Sequence, residues 1–252
     1  MCGRYIIRKR DLLPLGAADR MLPTFEELSE QTRFNVAPSQ LNPIVRLDRE
    51  GARTIACVKW GLIPSWTSGT PKLQPINARS ETAITSPMFR QAIQRRRCLV
   101  PSGGFYEWKG AKPPKQPFFI HMKSDEPFAF AGIWERWRES DDTEAIDTYA
   151  ILTTSPNDLM KQIHNRMPVI IAEKDYDRWL DRNIKAEDVA DVMKPYDADS
   201  MEAYAVSTQV NSVRRSRGMP HSPTLIGSRA RYGMDPDDCG NRESLPVYRL
   251  AI

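Results

Sequence analysis

The segment PFFIHMKSDEPFAFAGIW, residues 117–134, decides the fold class of this chain. Its two halves, 117–122 and 128–134, are rich in aromatic and branched aliphatic residues, and the polar stretch KSDEP separates them. Residues of these types favour β-strands. The connection is too short for a helical crossover, and spacing of this kind favours antiparallel sheets.

Further strand-like runs occupy residues 5–7, 43–47, 54–62 and 148–154. Most neighbouring runs lack a helical segment between them. This spacing favours antiparallel sheets with a few peripheral helices over a doubly wound parallel sheet. The sequence therefore predicts an α+β domain.

Helix signals are fewer than strand signals. Thr24 and Glu27 have the spacing of a capping box. Ser86 followed by Pro87 predicts a helix that runs to Gln94. The remaining predicted helices are 159–163, opened by Ser155 and Pro156, then 173–180 and 185–194.

Length and composition predict one globular core. The chain has 252 residues, 40% of them hydrophobic, and a formal charge of +4. Arginine supplies 25 of the 36 basic residues, and its planar guanidinium suits phosphate oxygens as well as ordinary surface positions. We expect one domain over residues 1–226 and a loose C-terminal extension over 227–252.

Metal sites, secretion and membrane insertion are disfavoured by the sequence. No two members of the cysteine and histidine set have metal-ligand spacing: Cys2, Cys57, Cys98, Cys239, His121, His164 and His221. The N-terminus MCGRYIIRKR lacks the apolar core of a signal peptide, and no stretch approaches the length of a membrane helix. We expect a cytoplasmic protein in a reducing compartment.

Cys2 is the first residue with unusual chemical potential. Removal of Met1 would leave an α-amine and a thiol on adjacent carbons, with ordinary pKa values of roughly 7.7–8.0 and 8.5. The amine of such a 1,2-aminothiol condenses with an aldehyde to an imine, and the thiol then closes a five-membered thiazolidine. Alternatively, Cys2 is a small apolar residue near a terminus.

A second N-terminal chemistry competes with ring formation. In N-terminal-nucleophile amidotransferases, a mature terminal cysteine attacks glutamine with help from its own α-amine. Those chains also begin Met-Cys-Gly, but they usually carry an Asn-Gly turn, and no Asn-Gly pair occurs here. Glutaminase activity is therefore less favoured but stays open.

Seven ordered blocks carry a family resemblance: CGRY (2–5), RFNVAP (33–38), WGLIPSW (60–66), INARSET (76–82), RCLVP (97–101), GFYEW (104–108) and IHNRMP (163–168). In this order they resemble the SRAP family, the SOS-response-associated peptidases that are understood as abasic-site processing proteins. The resemblance extends to about residue 226. It implies a single SRAP-like domain whose antiparallel sheets curl towards a barrel.

The resemblance also implies roles for four catalytic residues. Cys2 would form a covalent crosslink to an abasic site, and Asn77 would orient the opened sugar or the α-amine. Glu107 would hold the amine and move protons, and His164 would act as acid or base in opening the deoxyribose. Taken singly, Asn77 also fits a turn former, Glu107 an outward-facing strand residue, and His164 a cap of the preceding helix. No cofactor and no metal are implied.

DNA contacts follow from the same blocks. Arg4, Arg79 and Arg166 would bind phosphates near the lesion, although each also fits an ordinary surface arginine. Candidates for base stacking or strand separation are Trp66, Met88 and Phe89, the last two of which equally fit a core. The implied partners are single-stranded DNA and its junctions with duplex, bound by a monomer.

Three alternative functions stay open from the sequence. The historical family label implies a peptidase that removes its own Met1. An imine at the α-amine also promotes strand cleavage, which would make the protein an abasic-site lyase. A non-catalytic module for single-stranded DNA would bind intact and abasic strands alike, with a strong salt dependence.

Overall fold

A computed structural model describes residues 2–15 and 32–213 of the chain. The predicted capping box at Thr24 and Glu27 and the predicted extension 227–252 lie outside these ranges. The strands are β1 (Arg4–Ile7), β2 (Arg33–Val36), β3 (Leu41–Leu47), β4 (Arg53–Trp60), β5 (Asn77–Arg79), β6 (Arg97–Ser102), β7 (Gly104–Lys109), β8 (Gln116–Met122), β9 (Phe128–Trp137), β10 (Ile146–Thr154), β11 (Met167–Pro168), β12 (Ile170–Ile171) and β13 (Met201–Ala205).

Short helices connect these strands. The α-helices are α1 (Ser80–Ala83), α2 (Arg90–Arg95), α3 (Asp158–Lys161) and α4 (Tyr176–Leu180). The 3-10 turns are Lys9–Leu15, Glu173–Asp175, Ala186–Val192 and Thr208–Asn211.

Five strands close into a barrel. β4 pairs with β3, β3 with β6, β6 with β9 and β9 with β10, all antiparallel, and β10 then pairs with β4 to complete the ring. The predicted α+β fold with a barrel is thus confirmed. The β4–β10 pair is parallel, unlike the expected antiparallel pairing, because a ring of five strands cannot alternate direction all the way around.

A second sheet, which we call the flanking sheet, packs against the barrel. Its strand order is β13-β8-β7-β1-β2, and all its pairs are antiparallel. Tyr5 on β1 joins it to the barrel: its ring lies 5.2 Å from Trp60 and 5.8 Å from Phe130, and its hydroxyl is 2.7 Å from that of Tyr149. These buried contacts fix the N-terminal strand in place.

The predicted helices are shorter than expected. The helix predicted from Ser86 begins at Arg90, because the Ser86 carbonyl accepts bonds from both Phe89 and Arg90 and the chain turns there. Asn157, rather than the predicted Ser155, caps α3 by accepting a 2.9 Å bond from the Met160 amide. The segment predicted at 173–180 forms the 3-10 turn Glu173–Asp175 followed by α4, and the segment predicted at 185–194 forms the 3-10 turn Ala186–Val192.

The basic run Arg95–Arg97 is divided by the fold. Arg95 ends α2 and is exposed, whereas Arg97 on β6 is 3% exposed. The Arg97 guanidinium donates to the backbone carbonyls of Ile93, Trp179, Asp181 and Ile184. Burial lowers its pKa. Arg97 therefore joins β6 to the helices that cover one side of the barrel and is not a solvated residue.

The helices within residues 2–15 and 32–213 are all short. None of the helices there is long and apolar enough to cross a bilayer.

Candidate active site

Cys2, the predicted crosslinking residue, is buried two residues before β1. β1 pairs with β7 so that Arg4 faces Tyr106 and Tyr5 faces Phe105, which brings the start of β1 to Glu107. Burial raises the pKa of the Cys2 thiol, and the Glu107 charge raises it further. Both effects favour the protonated thiol over the thiolate, and the thiolate is the nucleophilic form.

Glu107 points into the molecule. Side chains alternate along β7: Phe105 packs in the cluster that joins the two sheets, and Tyr106 packs in a separate cluster on the other face. Glu107 shares the face of Phe105 and is 3% exposed. Its Oε1 accepts a 3.2 Å bond from the Trp108 amide. An outward-facing Glu107 is therefore excluded.

Asn77 begins β5, which pairs in parallel with β10. Its Nδ2 donates a long bond of 3.4 Å to the Ile151 carbonyl. Its Oδ1 is buried and accepts no hydrogen bond from the described residues. A buried acceptor of this kind is costly unless a ligand supplies the donor.

His164 follows α3 directly. Its backbone amide donates to the Met160 carbonyl at 2.8 Å, and its Nδ1 accepts a 3.0 Å bond from the Arg166 amide. Met160 and Ile151 belong to the same buried cluster as Cys2. Since Asn77 bonds to Ile151 and His164 to Met160, both border the cluster that contains Cys2.

The three predicted phosphate-binding arginines differ in their surroundings. Arg79 is exposed at the end of β5. Arg4 donates to the Asn35 Oδ1 at 3.0 Å and to the Val210 carbonyl at 2.9 Å. These two bonds tie β1 to β2 and to the end of the described chain, so Arg4 has a structural role in the absence of DNA.

Arg166 forms a bidentate ion pair with Glu81. Glu81 was not among the predicted site residues. The two bonds are 2.6 and 2.8 Å long. This pairing lowers the pKa of Glu81. Glu81 and Arg166 are 85 residues apart, so their pairing leaves no local sequence signal. The place of Glu81 in the INARSET block was its only sequence signal.

The predicted stacking residues are also unequal. Trp66 is 58% exposed in the loop between β4 and β5, and Leu73 in the same loop is 68% exposed. Met88 and Phe89 are both half-buried, and Phe89 packs against the core that includes Ile93. Trp66 is thus the aromatic side chain of this predicted set that is open to a base.

The described cysteines Cys2, Cys57 and Cys98 are free thiols. Within the same ranges, no group of three or more His, Cys, Asp or Glu residues could hold a metal ion. The functional groups available at the candidate site are a buried thiol next to the N-terminal residue, a buried carboxyl, an amide and an imidazole.

The family model for SOS response associated peptidase (SRAP) matches residues 1–213. The chain belongs to the SRAP family. It is 38% identical over 233 residues to the abasic site processing protein YoqW of Bacillus subtilis, with 90% of this chain and 100% of YoqW covered. It is 29% identical over 213 residues to the abasic site processing protein HMCES of Gallus gallus, with 72% of this chain and 63% of HMCES covered.

A solved structure supports the same fold. A protein from Bacteroides thetaiotaomicron superposes with a TM-score of 0.74 at 27% identity, covering 82% of this chain and 93% of that one.

Proposed function

We propose that this protein senses abasic sites in DNA and shields them by a covalent bond to Cys2. The observation that carries the proposal is the buried pair of Cys2 and Glu107 at the meeting point of β1 and β7. A thiol in an apolar setting with one carboxyl beside it suits a reaction that moves protons without bulk water. The relatives named above are called abasic site processing proteins, which supports this choice of substrate.

The proposed reaction begins at the α-amine of Cys2 after Met1 is lost. His164 moves a proton to open the closed deoxyribose to its aldehyde. The amine nitrogen attacks the aldehyde carbon, and the carbonyl oxygen leaves as water when the imine forms. Glu107 supplies the proton for that departure, and the unfilled Oδ1 of Asn77 accepts a bond from the amine or from a sugar hydroxyl.

Ring closure completes the proposed reaction. The Cys2 sulfur adds to the imine carbon, and the thiol proton passes to the imine nitrogen through Glu107. The product is a thiazolidine with no net redox change. Because the pKa of the thiol is raised, a base at this step is required for the addition at neutral pH.

Single-stranded DNA is the proposed partner, including its junctions with duplex. Trp66 offers a stacking surface, and the exposed Arg79 follows Asn77 by two residues and offers a phosphate contact. We further propose that a monomer in the cytoplasm performs the reaction, where a reducing environment keeps Cys2 a thiol.

The test mixes mature protein, with loss of Met1 verified by mass, with a single strand that carries one abasic site. Denaturing gel electrophoresis and intact mass spectrometry then detect an adduct. We expect a denaturation-resistant band whose added mass maps to the N-terminal peptide and is absent from Cys2→Ala. No adduct in the mature protein would refute covalent shielding.

The lyase alternative gives a different result in the same assay. Cys2→Ser retains the α-amine but cannot form a thiazolidine. We expect this variant to lose the stable adduct. Efficient strand cleavage by both proteins, with no lasting adduct in either, would favour a lyase over a shielding protein.

A further inference from the structure

The side chain of Arg166 joins three segments of the site. Its Nη1 and Nη2 bind the two carboxylate oxygens of Glu81 at 2.6 and 2.8 Å, and Nη2 also donates to the Thr153 carbonyl at 2.6 Å. Arg166 is 14% exposed and Glu81 47% exposed. A bidentate pair between guanidinium and carboxylate fixes orientation as well as distance.

These contacts connect the segments that carry Asn77 and His164. Glu81 lies in α1, which follows β5 and Asn77 without an intervening loop. Thr153 lies on β10, opposite Arg79 in the β5–β10 register. Arg166 itself is two residues beyond His164, so the ion pair sets the position of the His164 segment relative to β5.

The backbone of Arg166 also acts on the imidazole of His164. Its N–H lies 3.0 Å from Nδ1 of that ring. Nδ1 also lies 3.3 Å from the Arg166 carbonyl oxygen, a contact that would require Nδ1–H. The contact with the N–H is shorter, and a backbone N–H can only donate, so the geometry favours an unprotonated Nδ1. The neutral ring then carries its hydrogen on Nε2, and this nitrogen is the one that can donate a proton.

We propose that Glu81 is a positioning residue for His164. By holding the Arg166 guanidinium, it keeps the Arg166 amide against Nδ1 and maintains the Nε2–H form of the imidazole. This inference rests on the proposed function, in which His164 opens the deoxyribose. It also gives Arg166 a principal role inside the protein, since its guanidinium is already engaged by Glu81 and Thr153.

The first experiment reads the ring directly and needs no DNA. Protein labelled with ¹⁵N-histidine is studied at pH 8 by long-range ¹H–¹⁵N correlation, with His164→Gln used to assign the signal among the three histidines. We expect Nε2–H in the wild type and in the control Glu144→Gln, an exposed glutamate elsewhere. We expect a mixture of the two tautomers in Glu81→Gln.

The second experiment separates positioning from DNA binding. At saturating abasic single strand, we expect Glu81→Gln to form the adduct about tenfold more slowly than Glu144→Gln. Affinity for an intact strand should change less than about twofold. Glu81→Asp retains the charge and should recover part of both the Nε2–H population and the rate, which also covers the case in which Glu81→Gln folds poorly.

Two results would overturn the proposal. One is an unchanged tautomer together with an unchanged rate in Glu81→Gln. The other is a loss of affinity for intact DNA with a normal rate at saturation, which would make Glu81 a binding determinant. A shifted tautomer in a protein whose wild type forms no adduct would uphold the positioning contact and refute the proposed function instead.

Discussion

Cys2, two residues before β1, lies close enough to Glu107 on β7 for the Glu107 charge to act on its thiol, and both side chains are almost completely buried. Burial raises the pKa of the Cys2 thiol, and the Glu107 charge raises it further. In the proposed reaction, the carboxyl of Glu107 moves protons to and from this thiol. The pair therefore favours concerted proton transfer over a permanently ionised nucleophile.

Glu107→Gln tests this relationship. Loss of the negative charge should lower the pKa of Cys2, so more thiolate forms at a given pH. We nevertheless expect adduct formation to slow by about 100-fold, because the proton carrier is gone. Time courses on denaturing gels measure the rate, and the pH dependence of Cys2 alkylation measures the thiol. A rate that rises with the thiolate fraction would contradict a proton-transfer role.

Trp66→Ala tests the exposed aromatic residue. We expect affinity for single-stranded DNA to fall by about 1–3 kcal/mol, roughly 5-fold to 150-fold, because one stacked base is lost. Fluorescence anisotropy with an intact strand measures this change. The matched control is Leu73→Ala in the same loop, whose side chain is exposed but has no aromatic face. Equal losses in the two variants would argue against stacking.

Arg97→Met tests the buried arginine. The change leaves several backbone carbonyls without donors, so we expect the free energy of unfolding to fall by about 3 kcal/mol. Chemical denaturation measures it. Arg95→Met, two residues earlier and exposed, should change stability by less than about 0.5 kcal/mol. Similar stabilities for both variants would show that the carbonyls find other partners.

Asp147→Asn tests the pH-dependent ion pairs that the Asp147 carboxylate forms with Arg46 and Arg136. Burial alone would raise the pKa of Asp147, but the bonds from both arginines lower it overall. Because the pKa of Asp147 is lower in the folded protein, the carboxylate stabilises the fold at pH values above its ordinary pKa of about 3.9. This stabilisation is lost as the pH falls through the lowered pKa.

We therefore expect Asp147→Asn to cost about 2 kcal/mol at pH 7. Denaturant titrations of both proteins from pH 7 to pH 3 follow the difference, which should shrink below pH 4. A difference that stays constant over this range would show that packing, and not charge, stabilises this position.

Much of the fold was predictable because its strands are locally encoded. Aromatic and branched residues marked β4, β8, β9 and β10. The partners of these strands were not encoded locally: β8 pairs with β7 and β13 in the flanking sheet, whereas β9, which follows the short 123–127 connection, pairs with β6, β10 and β12. The closure of the barrel was not encoded locally, since β4 and β10 meet across 85 intervening residues, 61–145. The parallel direction of that pair follows from the odd number of strands.

The site was predictable where one block carried one role, as at Cys2, Asn77, Glu107 and His164, and their catalytic roles stay predictions. Glu81 was not predicted as a site residue because its ion pair with Arg166 appears only in the folded chain. The different surroundings of Arg95 and Arg97 could not be predicted from the sequence, because they depend on where α2 ends and β6 begins.

The burial of Cys2 also orders events during synthesis. Its strand partner β7 and the carboxyl of Glu107 are more than 100 residues downstream. At about 20 residues per second, a ribosome needs at least roughly 5 s to make them. During that interval the first residues are without β7 to pack against. An aminopeptidase that removed Met1 from the nascent chain would therefore act before the surroundings that bury Cys2 are complete.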